Sequence, residues 1–230
     1  MSEYELDKRL KSSFVSLSLL QEIEKYLLDQ GESQRNDDSR IKYMATIYDK
    51  YGEERIDSFE NYHRSTLPNE AKRINLEIHD YQNDFRIAVS FSREALYSYL
   101  KVQIVGNSAK EKAIGIANTI ESQLNEHKNL NFIFHSWISY FMPFIFAFPL
   151  GYTIPNFIIN GINIETLIGS FIILLAIIYF GLKIVNPYSV LDTNRNRQIS
   201  SFVKWILNGL AGVFLFGLLA TLVRKYLIGF

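Results

Sequence analysis

Cysteine is absent from the 230 residues, and with it go disulfides, thiolate metal sites and cysteine nucleophiles. A net charge is absent too. That zero is the sum of unlike parts, because residues 131–230 hold Glu165 and Asp192 as their only carboxylates against Lys183, Arg195, Arg197, Lys204, Arg224 and Lys225. Residues 1–130 are therefore mildly acidic, which argues against a protein that grips nucleic acid by its phosphates. The amino-terminal stretch MSEYELDKRLKSS has no apolar region of the kind a cleavable signal peptide carries. Missing as well are HExxH, GxSxG, a P-loop and a paired-carboxylate motif. The four histidines, at 63, 79, 127 and 135, show no metal-ligand spacing. The expectation is a protein that is not an enzyme and needs no metal and no cofactor.

What is abundant is apolar sequence in the last hundred residues. Three segments, about 131–151, 167–185 and 202–223, approach the roughly 20 residues a spanning helix needs. FIILLAIIYF, from Phe171 to Phe180, is the most apolar stretch. These segments predict an all-α transmembrane domain of three helices over residues 131–230. The connection between the second and third segments carries Arg195 and Arg197, whereas that between the first and second carries no Lys or Arg. The positive-inside rule then puts residues 1–130 in the cytoplasm, the chain being integral to the plasma or inner membrane, although Arg224 and Lys225 run against it.

Residues 1–130 read as an α+β domain. Leu6, Leu10, Phe14, Leu17, Leu20, Ile23 and Leu27 recur every three or four positions and predict an amphipathic helix from Tyr4 to Gln30, stopped by Gly31. The polar stretch 32–40 follows as a linker. Period-two alternation marks a strand at Ile41–Tyr48 and three more around Arg73–His79, Phe85–Ser92 and Leu96–Ile104, with a turn at Gln82-Asn83-Asp84. Between the first strand and the rest, Gly52–Ala71 is expected to be a long excursion. Ser108-Ala109-Lys110-Glu111 has the form of a capping box, starting a helix to about Lys128. Two helices on one face of a four-stranded, mainly antiparallel sheet would close one core.

Three groups of residues are candidates for function. On the wet face of the sheet stand Arg73, Asn75, His79, Arg86, Tyr97, Tyr99 and Lys101, cations beside aromatics that suit an anionic ligand with a ring, such as a nucleotide or single-stranded RNA. A solvated outer face would hold the same residue types. In the excursion, His63 and Arg64 lie near Asp57 and Glu60, where a histidine beside carboxylates fits a base or simply a surface loop. In the apolar segments, His135, Ser136, Ser139 and Asn208 are polar, and Gly209, Gly212 and Gly217 permit close helix packing, as between copies in a homo-oligomer.

A cytoplasmic α+β module joined to a few spanning helices resembles the layout of bacterial membrane effectors of antiviral defence, a likeness carried by no motif. It implies a cytoplasmic domain that senses a nucleotide or protein ligand and signals to an oligomeric, membrane-permeabilising bundle. The alternative is a membrane-tethered scaffold that recruits a cytoplasmic partner and uses its spans as an anchor in the lipid bilayer.

Overall fold

The computed structural model describes residues 2–34, 40–82, 84–135, 141–143, 145, 147, 151, 169, 172, 175–176, 178–183, 186–203, 205–206 and 209. In chain order they form β1 (Ser2–Arg9), β2 (Phe14–Val15), α1 (Leu17–Ser33), β3 (Ile41–Tyr48), β4 (Glu53–Ile56), β5 (Arg73–Asp80), β6 (Phe85–Ser92), a 3-10 turn (Ala95–Tyr97), β7 (Tyr99–Gly106), α2 (Ala109–Glu126), α3 (Phe132–His135) and β8 (Val190–Leu191). Six strands make one sheet in the order β1-β7-β6-β5-β3-β4, and every neighbouring pair is antiparallel. Beside it β2 and β8 pair in parallel.

Alternation decides what each face of the sheet does. Ile74, Leu76 and Ile78 on β5, Ile87, Val89 and Phe91 on β6, and Leu100, Val102 and Ile104 on β7 are all buried in one core. That core is closed by Leu19, Leu20, Ile23 and Leu27 of α1 and by Ala113, Ile116, Ala117, Ile120 and Leu124 of α2. Both helices thus cover the same face, in two layers, and burial of these side chains is what stabilises the arrangement.

The sheet has six strands and not four. Residues 2–9, of which Tyr4 onward is expected in a helix, are a strand along the edge of β7, because Tyr4 and Leu6 also satisfy a period of two, with Glu3, Glu5 and Asp7 on the other face. On the helix-covered side Lys8 reaches Glu121 of α2 at 2.8 Å. The helix begins only after Ser16, whose hydroxyl accepts from the Leu19 N–H at 3.2 Å as an N-cap does. Nor does Gly31 end it. The helix runs on to Ser33, and Gly31 is buried where α1 meets β5. The excursion contains the edge strand β4, too short to show an alternation, and its Phe59 is fully buried. Phe59 is held by α1 twice: its N–H donates to the Glu24 carboxylate at 2.8 Å, and its carbonyl accepts from Gln21 Nε2 at 3.0 Å. Burial, then the neighbouring Glu24 carboxylate, pushes the Tyr43 phenol well above its usual range. The capping box does not form. Ser108 adopts a left-handed conformation, with φ 57°, and its side chain makes no cap hydrogen bond.

Residues 186–193 return to the domain. Tyr188 and Ser189 donate backbone N–H groups to Arg93 O (2.9 Å) and Ser92 O (3.2 Å), and Val190 and Asp192 donate to Ser13 O and Val15 O, both at 2.9 Å. The Tyr188 hydroxyl donates to Leu10 O at 2.7 Å, while Ser189, Leu191 and Thr193 are almost wholly buried. Residues 194–203 are helical.

Among the described residues no helix is long and apolar enough to cross a membrane. The expected all-α transmembrane domain is therefore not shown among the described residues, and most of the three expected segments lies outside them, as do residues 35–39 of the linker and Asn83 of the turn. The integral-membrane location, the permeabilising bundle and the tethered scaffold all rest on those spans and are not supported by the described residues. Hydropathy reports how much surface must leave water, and not what covers it.

The close approach at Gly31 is testable. A Cβ there would lie 2.4 Å from Ile78 Cδ1 and 3.3 Å from Ile41 Cγ2. Ile78→Val removes the nearest atom, so Gly31→Ala should be better tolerated in that background, with a coupling of about 1 kcal/mol in urea melts of the double-mutant cycle.

Candidate functional site

The second face of the sheet carries the polar half of each alternation and is covered by no helix among the described residues. Register places its side chains in rows. Tyr48, Arg73 and Ser92 form one; Thr46, Asn75, Ser90 and Tyr99 form the next; Met44, Glu77, Ala88 and Lys101 form the third. Ala88, Ser90 and Ser92 of the central strand are small and at most 4% exposed. In the register they lie between Arg73 and Asn75 of β5 on one side and Tyr99 of β7 on the other.

The residues expected to bind a ligand part company here. Arg86 Nε lies 2.7 Å from Glu77 Oε1, and Lys101 Nζ lies 2.6 Å from Glu5 Oε1. Such partly exposed pairs contribute about 0–1 kcal/mol each, but they neutralise both cations. The His79 ring lies tilted against that of Tyr81, with centroids 4.0 Å apart and planes at 42°. Arg73, by contrast, makes no ion pair among the described residues. Its guanidinium lies 4.0 Å from the Tyr48 ring centroid and 5.9 Å from that of Tyr97. Beside it, Asn75 Oδ1 and Ser90 Oγ are buried with no hydrogen-bond partner. These two residues are cross-strand neighbours. A buried polar group of this kind carries a desolvation cost of about 1–3 kcal/mol, which a hydrogen-bond partner would offset.

Tyr97 belongs to this end of the face although it is not on a strand. It lies in the 3-10 turn before β7, and Ser98 fastens that turn. Ser98 Oγ accepts from the Ser92 N–H at 3.0 Å and donates to Ser92 O at 3.1 Å, all of it buried. The Ser189 hydroxyl is 3.4 Å from it, so the returning segment backs the same turn. Tyr48 and Ser90 are the members that sequence reasoning did not single out. The pairing of β3 with β5, which sets Tyr48 beside Arg73, was the signal that would have found Tyr48.

His63 and Arg64 lie elsewhere, in an open cleft of about 470 Å³ with Glu54, Asp57 and Tyr62. Burial, then Glu54, raises the Tyr62 phenol against the opposing pull of Arg64. No group of three His, Asp or Glu side chains suited to a metal occurs among the described residues. His135 ends α3, its Nε2 2.9 Å from Asn186 O and its ring edge-on to Tyr188. Gly209 is helical and exposed, with nothing within 4 Å of an added Cβ. Ser136, Ser139, Asn208, Gly212 and Gly217 lie outside the described residues.

Comparison with protein-family models, curated proteins and solved structures returns no match, so the site is read from its own chemistry.

Ser98→Ala would leave the buried Ser92 N–H without its acceptor. The expected result is a loss of about 1–3 kcal/mol in denaturant melts; an unchanged melt would mean that the hydroxyl does not hold the Tyr97 turn.

Proposed function

We propose that this chain is a non-enzymatic binding protein whose open sheet face takes an anionic ligand with an aromatic ring, of the nucleotide class. The observation that supports it most is the grouping at one end of that face: Arg73 between two tyrosine rings and without a carboxylate, next to Asn75 Oδ1 and Ser90 Oγ without partners. A guanidinium fork matches phosphate oxygens two at a time, and its charge strengthens those bonds. The Tyr97 ring is 48% exposed and offers a surface for a base, a contact worth about 1–3 kcal/mol. Asn75 Oδ1 is an acceptor for an exocyclic amine, and the Ser90 hydroxyl serves as donor or acceptor. Among the described residues no general base is hydrogen-bonded to the Ser90 hydroxyl and no group suited to a metal occurs, which is why binding and not turnover is proposed.

Isothermal titration of the purified chain with AMP and GMP tests this reading. Binding of at least one is expected, weakened roughly tenfold or more by Arg73→Ala and by Tyr97→Ala. Lys101→Ala should change little, since Glu5 already neutralises that cation. The nucleotide should be recovered intact. Absence of binding at millimolar nucleotide, or binding indifferent to Arg73, would overturn the proposal.

A further inference from the structure

A second concentration of positive charge lies just beyond the end of the sheet at which Tyr48, Arg73 and Ser92 stand. Lys50 Nζ is 3.6 Å from Glu70 Oε2, and Arg195 Nη1 is 3.8 Å from Glu70 Oε1. Both separations exceed the roughly 2.7–2.9 Å of a charge-assisted hydrogen bond, so one carboxylate is shared loosely between two cations. Arg93 is the third cation. It is half-buried and makes no ion pair among the described residues, and burial, then the charge of Arg195, pushes its guanidinium below the usual range while Glu70 opposes the shift. Three cations against Glu70 leave two positive charges uncompensated.

Each of the four is carried on fixed backbone. Lys50 sits in the turn after β3, where Asp49 Oδ1 accepts from the Tyr51 and Gly52 N–H groups at 2.6 and 2.9 Å. Glu70 precedes Ala71, whose N–H donates to Pro68 O at 3.0 Å. The Arg93 N–H donates to Lys72 O, and its carbonyl accepts from Tyr188. The Arg195 N–H donates to Asn69 Oδ1 at 3.1 Å, which sets the returning segment against the loop before β5. Lys50 and Arg195 are largely exposed and Arg93 is half-buried, and like charges brought together on such anchors favour an anion between them.

We propose that Lys50, Arg93 and Arg195 form an anion site for a compact phosphate-bearing ligand, separate from the open face. The two guanidinium groups offer forked donors to phosphate oxygens and the ammonium a point charge. Glu70 competes with the ligand for the same cations. Because Arg93 directly follows β6 and Arg195 lies in the helix that follows the returning segment, an anion held by both ties that helix to the sheet.

Pyrophosphate is the probe, titrated calorimetrically into the purified full chain at low salt, with the thermal melt followed in parallel. The expected result is binding that falls steeply with ionic strength and raises Tm. Arg195→Ala, whose side chain is mostly exposed, should weaken it roughly tenfold or more. Glu70→Gln should tighten it, and Arg73→Ala should leave it unchanged. Failure of the wild-type chain to bind pyrophosphate, or equal binding by Arg195→Ala, would overturn the site. Loss of binding in Arg73→Ala would move the anion to the open face and equally reject a separate site. Binding of pyrophosphate together with indifference to AMP and GMP would reject the open-face proposal alone.

Discussion

The backbone bonds between residues 188–193 and the ends of β2 and β6 are the constraint on which much else depends. Ser13 and Val15 find their partners in Val190 and Asp192, Ser92 and Arg93 in Ser189 and Tyr188, and the Leu67 N–H in Asp192 O. Each such bond contributes on the order of 1 kcal/mol net, yet leaving the same buried groups unpaired would cost more. The set matters beside a whole-domain stability of roughly 5–15 kcal/mol. Asp192 is itself gripped at 2.7 Å by both Arg197 Nε and Nη2, so the turn into the following helix is held by charge as well.

Both places where chemistry gathers hang from that closure. Ser189 backs Ser98, Ser98 fastens the turn that carries Tyr97, and Tyr97 faces Arg73. On the other side of the same junction, Arg195 comes against Glu70 and Asn69. The sheet contributes by division of labour. One face is filled by aliphatic side chains and sealed by two helices, which leaves the other free to hold charge. Part of that charge is spent within the face, Arg86 on Glu77 and Lys101 on Glu5, whereas Arg73 meets tyrosine rings and no carboxylate among the described residues.

Local pattern made part of this legible. β5, β6 and β7 alternate cleanly because each is buried on one face and wet on the other, and α2 shows its stripe from Ala113 to Leu124. β1 was misread because Leu6 and Leu10 fit a helical stripe as well as a strand, and only pairing with β7 decides between them. Ser108 has the residue types of a capping box, but the left-handed turn after Gly106 turns its hydroxyl away from that role. The apolar segments were read as spanning helices from hydropathy alone, and no described helix supports that. In the site, the types of Arg73, Tyr97 and Tyr99 were legible. Which cations are neutralised was not, since Glu5 meets Lys101 only through a strand whose position the pattern concealed. No window of sequence links Tyr188 to Leu10 or Ser189 to Ser92.

The central claim is that residues 188–193 are part of the fold and not a passing connection. Native-state hydrogen exchange of the full chain tests it at single amides. The account predicts that the Val190 and Asp192 N–H groups, bonded to Ser13 O and Val15 O, exchange nearly as slowly as those of Val89 and Leu100 in the central strands. Exchange of Val190 and Asp192 at the rate of an unprotected loop, with Val89 and Leu100 still slow, would contradict it.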